Sequence, residues 1–221
     1  MDIKYLGHSA FEFSHNGAKI LVDPNITSTI YNWHDENITN IFLTHAHGDH
    51  IGQAIEIAKE KNAKITAIAE LAYYCKEQGV KDVEDVNLGG TLKYDWGSAI
   101  FLPACHSSSL PDGRYGGCAA AIFFNIDNTR IYHAGDTCLH EGMKTVKELY
   151  RPQIAMIPIG GRYTMDAEHA AIAAQWIGAQ RVIPMHYNTF PEIKAEVQHF
   201  AQIMQANTQM IVALDPNKQQ G

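Results

Sequence analysis

His45-Ala46-His47-Gly48-Asp49-His50 is the stretch on which the reading of this chain turns. It follows Ile41-Phe42-Leu43, a short apolar run of the kind that forms a buried strand. Residues two apart on an extended backbone point to the same side, so the rings of His45 and His47 can address one cation. Gly48 lets the backbone turn sharply, and Asp49 and His50 then swing round toward a second cation nearby. Imidazole and carboxylate are both metal ligands, and their density in six residues is a specific signal. The plain alternative is a surface histidine cluster, with Asp49 capping a helix over 51–60.

Further candidate ligands outside the hexapeptide argue against that alternative. His106 follows Phe101-Leu102-Pro103-Ala104-Cys105, Asp136 follows Ile131-Tyr132-His133-Ala134-Gly135, and His186 follows Val182-Ile183-Pro184-Met185. Each sits where an apolar strand gives way to a loop. One such residue would be an ordinary cap or solvated group; three on the same pattern make a metal site the better reading. Asp23, at a strand end before Pro24, is the candidate to hold a ligand imidazole by its second N–H. His8 follows a strand and is the candidate proton donor to a leaving group. Arg114 and Arg162 lie in Gly-rich loops and are the candidate holders of a substrate anion. His169 reads as a helix-surface residue, and His15, His34, His133, His140 and His199 receive no role.

Outside these positions the chain reads as one domain over 1–221. Strands are expected at 3–6, 10–13 and 19–22, with Asn16-Gly17 as a hairpin turn. Helices are expected at 51–60, 70–78, 141–150, 166–177 and 191–205. Further strands fall at 64–69, within 84–104, at 119–126, 130–133, 154–157 and 181–185, and at 210–214. Each half runs from strands into alternating helices and strands, which suggests two sheets face to face with helices outside.

The formal net charge is −7, with acidic and basic residues mixed and no run of Lys or Arg. Nucleic-acid binding needs clustered cations, so a large nucleic-acid footprint is not expected. No apolar run reaches the roughly 20 residues that cross a bilayer, and the first residues lack the basic start and apolar stretch of a signal peptide. The expected compartment is therefore the cytoplasm. The four cysteines, Cys75, Cys105, Cys118 and Cys138, form no CxxC pair, which argues against a thiolate zinc site.

The His-x-His-x-Asp-His motif followed by His106, Asp136 and His186 resembles the metallo-β-lactamase-fold hydrolase superfamily. Leu6-Gly7-His8-Ser9, Asp23-Pro24, Pro103 through Ser108, Gly135-Asp136-Thr137, Pro158-Ile159-Gly160-Gly161, Tyr163-Thr164-Met165 and Pro184-Met185-His186-Tyr187 resemble more narrowly its UPF0173 group, which is similar to the ascorbate-6-phosphate lactonase branch. The resemblance implies an α+β fold, a four-layer αββα sandwich. It also implies that His45, His47 and His106 bind one metal, that Asp49, His50 and His186 bind a second, and that Asp136 bridges them.

The donor set admits zinc first and manganese second. Two such cations activate a bridging water for attack on a carbonyl or phosphorus, with Asp49 orienting it. The expected activity is hydrolysis of a small ester-like substrate, with a lactone as the single best candidate. A phosphodiesterase or nuclease on the same metals and a non-catalytic metal or ligand sensor are the rivals. A homo-oligomer is compatible with this reading, although no residue pattern supports one.

Overall fold

The computed structural model describes residues 1–204 and 210–218. They fall into two compact units. The first comprises Met1–Gly90, Ser107–Ala119 and the segment from Asp215; the second comprises Thr91–His106 and Ala120–Leu214.

The first unit holds a six-stranded sheet ordered as in the sequence: β1 (Asp2–Gly7), β2 (Ala10–His15), β3 (Ala18–Val22), β4 (Asn40–Phe42), β5 (Lys64–Ile68) and β6 (Val83–Val86). β1, β2 and β3 pair antiparallel, and β3 through β6 pair parallel. The expected hairpin turn is present: Asn16 and Gly17 both take positive φ, the conformation that a tight two-residue turn requires. Ile41 and Phe42, central in the sheet, are fully buried, as a parallel strand covered on both faces demands.

Helices α1 (Gly48–Ile51), α2 (Ala54–Lys61) and α3 (Ala69–Glu77) connect the parallel strands. Here the structure corrects the expected helix over 51–60. Helical turns begin inside the histidine motif, at Gly48, and break at Gly52, whose φ is +44°. A side chain at Gly52 would meet the Pro24 carbonyl and the Asn25 backbone, with its Cβ 2.6 Å from the Asn25 nitrogen. Gly52→Ala is therefore expected to lower stability by about 1–3 kcal/mol, from left-handed strain and a clash with unyielding backbone. Urea unfolding measures it, and an unchanged midpoint would contradict the packing described.

The second unit holds a seven-stranded sheet. β7 (Thr91–Tyr94), β8 (Gly97–Pro103), β9 (Ala120–Ile126) and β10 (Thr129–His133) pair antiparallel. β10, β11 (Ile154–Pro158), β12 (Arg181–Met185) and β13 (Met210–Ile211) pair parallel. α4 (Gly142–Leu149) and α5 (Ala167–Ile177) connect the parallel strands, and Asp166 caps α5 by accepting the His169 N–H. The expected helix 191–205 is a second correction. A 3-10 turn at Pro191–Ile193 precedes α6 (Val197–Met204), and residue 205 lies outside the described residues. Between the two helical pieces the Asn188 side chain bonds both the N–H and the carbonyl of Ala195, which satisfies backbone that a helix would otherwise pair.

Each sheet thus runs from antiparallel hairpins into parallel strands. Every candidate ligand lies just beyond the carboxyl end of a strand, His45 to His50 after β4, His106 after β8, Asp136 after β10 and His186 after β12, and so does Asp23, after β3. In open α/β sheets ligands bind at those ends.

Candidate metal centre

The turn after β4 carries most of the candidate ligands of the first unit. His45 and His50 are buried, and Asp49 keeps 30 % of its side chain exposed. One ligand atom from each of His8, Asp49 and His50 lies within 4.8 Å of the others. His8 Nε2 is 3.0 Å from Asp49 Oδ2, and His45 Nε2 is 3.0 Å from His47 Nδ1. Ligands around a tetrahedral zinc, about 2.0–2.1 Å from the ion, sit roughly 3.3 Å apart. The His45–His47 pair is close to such an edge, so the donor set fits a divalent cation.

The hydrogen-bond network assigns the tautomers. Asp23 is fully buried and accepts three bonds: the Thr44 N–H at 2.8 Å and the Thr44 hydroxyl at 2.6 Å, and the His50 Nδ1–H at 2.7 Å. The proton of His50 is therefore on Nδ1, and Nε2 presents a lone pair. Thr44 has a single hydroxyl proton and gives it to Asp23, so Thr44 Oγ1 accepts from His45 Nδ1 at 3.0 Å. That leaves the lone pair of His45 on Nε2, which faces His47. A metal-ligating histidine needs this arrangement, with its second N–H spent on an acceptor. One carboxylate thus fixes two imidazoles, one directly and one through a hydroxyl. Asp23 is brought to the histidines as expected. Thr44 was not singled out, although its place directly before His45 was a usable signal.

The segment 107–119 braces the turn. The Ala46 N–H donates to Ser108 Oγ at 3.1 Å, and Ser107 Oγ is 3.5 Å from His47 Nε2. A Cβ on Gly116 would strike that of Ala46, so only glycine allows the two backbones so close.

In the second unit Asp136 Oδ2 lies 3.0 Å from His186 Nε2 and 3.5 Å from His106 Nε2. One carboxylate oxygen thus addresses two imidazoles. Asp136 and His186 are buried and His106 is partly exposed. His8, Asp23 and His186 all adopt φ between 44° and 53°. Left-handed backbone at three buried non-glycine residues is strain of the kind held at functional sites.

The arginines behave differently from the candidate metal ligands. Arg114 is clamped at 2.8 Å by both Glu77 and Asp112, and its guanidinium holds both carboxyls below their usual range. Its charge is spent locally, which counts against the expected role in holding a substrate anion. Arg162 is exposed, 5.6 Å over the ring of Tyr163. His169 bonds Asp166 on the surface of α5, as its helix position suggested. His133, assigned no role, is fully buried and its Nδ1 accepts the Gly135 N–H. Among the described residues no helix is long and apolar enough to cross a membrane.

The pattern of the beta-lactamase superfamily domain matches residues 2–186. A UPF0173 metal-dependent hydrolase of Geobacillus thermodenitrificans is 43 % identical over 211 residues, 92 % of this chain and 93 % of that protein. One from Staphylothermus marinus is 43 % identical over 227 residues, 98 % of this chain and 96 % of that protein. Among solved structures, Igni18, a metallo hydrolase from the archaeon Ignicoccus hospitalis, superposes with a TM-score of 0.87 at 34 % identity, covering 98 % of this chain and 95 % of that one. These likenesses bear out the α+β, two-sheet fold class expected from the sequence. The chain belongs to the beta-lactamase superfamily, within its UPF0173 group of metal-dependent hydrolases.

Proposed function

We propose that the whole chain works as one metallo-hydrolase domain that cleaves a small ester-like substrate, a lactone first among candidates, at a centre of two divalent cations. The ligands are His45, His47 and His106 for one cation and Asp49, His50 and His186 for the other, with Asp136 shared. Divalent cations held there would supply Lewis acidity, making a water acidic enough to ionise near neutrality and polarising the electrophilic oxygen of the substrate. The observation that carries this reading is the Asp23 network, because it holds His45 and His50 through Nδ1 and so makes Nε2 the atom that each would offer a cation. Zinc is the first metal and manganese the second, since imidazole and carboxylate serve both and no thiolate ligand favours zinc alone.

Asp49 orients the attacking water, being the most exposed of its cluster. His8, buried and bonded to Asp49, holds that carboxylate, and it is the group that would pass a proton to the leaving group. Arg162 is the cation left to hold an anionic group of the substrate. The compartment proposed is the cytoplasm.

A substrate panel tests this. Protein reconstituted with zinc or with manganese is offered lactones, phosphodiesters, a β-lactam and single-stranded RNA. Lactone or ester turnover is expected. Turnover of phosphodiesters or RNA alone would replace the ester reading with a phosphodiesterase or nuclease, and no turnover with either metal would favour a sensor.

A further inference from the structure

The second unit carries a pair of thiols that the hydrolytic reading leaves unused. Of the four cysteines, Cys75 is buried, and burial pushes its thiol up to about 12, which removes it from redox chemistry near neutrality. Cys118 is exposed and bonds the Tyr115 hydroxyl at 3.4 Å. Cys105 and Cys138 are both exposed, and their backbones are joined directly.

Three bonds hold them together. The Cys138 N–H donates to the Cys105 carbonyl at 3.2 Å. The Cys105 N–H donates to Thr137 Oγ1 at 3.0 Å, and that hydroxyl donates to the Cys138 carbonyl at 2.8 Å. The direct N–H to carbonyl bond brings the two backbones side by side, the close approach that a disulfide's Cα separation of roughly 4.4–6.8 Å requires.

We infer that Cys105 and Cys138 form a reversible disulfide when the protein meets hydrogen peroxide. The sulfur of Cys138 attacks one peroxide oxygen, the O–O bond breaks, and a water leaves with the thiol proton, giving a sulfenic acid. The sulfur of Cys105 then attacks the oxidised sulfur, the S–O bond breaks, and a second water leaves with the proton of Cys105. Two thiols lose two electrons and two protons, and one peroxide becomes two waters. The link would join the residue before His106 to the strand-end loop that carries Asp136.

Mass mapping decides the matter without reference to turnover. Protein as purified and protein stripped with a chelator are treated with a slight excess of peroxide, alkylated, digested and sequenced by mass spectrometry. The expected product is a peptide pair joined at Cys105 and Cys138, two hydrogens lighter than its parts and released by dithiothreitol. Cys105→Ser and Cys138→Ser should each abolish it. Sulfinic or sulfonic acids at both positions with no joined peptide, or a link made to Cys118 instead, would overturn the inference. Failure of the proposed metal chemistry would leave this result unchanged.

Discussion

Asp49→Ala should reduce turnover to background, a loss of at least about 10²–10⁴-fold, and should lower bound metal at the same time. His47→Ala should do the same. Asp49 keeps 30 % of its side chain exposed while its neighbours His8 and His50 are buried, so it is the carboxylate best suited to meet both a cation and a substrate. Its removal also leaves the buried His8 ring without the oxygen 3.0 Å away. Metal analysis by mass spectrometry, run beside the activity assay, separates the outcomes. Loss of turnover with metal retained would mean that Asp49 acts on the water alone. A metal-free variant with full activity would end the hydrolytic mechanism proposed.

Asp23→Asn should weaken metal binding by roughly 10–100-fold and cost about 1–3 kcal/mol of stability. Asparagine tolerates left-handed backbone, so the φ of 44° at this position is not the source of the effect. The source is the count of donors. Asp23 faces three N–H or O–H groups, from Thr44 twice and from His50. An amide offers one oxygen and replaces the other with a donor, so at least one of the three bonds becomes a clash of hydrogens. The relief open to His50 is to move its proton to Nε2, which removes the lone pair meant for the metal. Thr44→Val should give a milder loss, because it cuts the hydroxyl relay to His45 and leaves the His50 bond intact. Thr44→Ser should restore binding. A titration in which Asp23→Asn binds zinc as tightly as the unaltered protein would show that the network is only structural.

Much of the fold was legible because it is encoded locally. Asn16-Gly17 and Asp127-Asn128 all take positive φ, and both turns can be read from residue type alone. Parallel strands such as β12 announce themselves as apolar runs, and the chain turns polar where they end. The helix errors arose where a local signal was outweighed. The run from Ile51 hides a break at Gly52 that is set by the distant Pro24 backbone, and Pro191 starts a turn that Asn188 then ends. The ligand residues were legible by type and position. The contacts that orient them were not, because the bonds of Asp23 to Thr44 and His50, and of Ala46 to Ser108, join stretches far apart in the chain and leave no periodic trace. Arg114 shows the converse: a lone loop cation invites a ligand until its two carboxylate neighbours are seen.

The left-handed backbone at His8, Asp23 and His186 bears on how variants of this site ought to be designed. Alanine there deletes the side chain but keeps a torsion that costs an L-residue about 1–2 kcal/mol. Glycine deletes the side chain and lets that torsion relax. Matched alanine and glycine replacements at one position would therefore differ in melting temperature by the energy stored in the main chain, and would agree in whatever belongs to the lost imidazole or carboxylate.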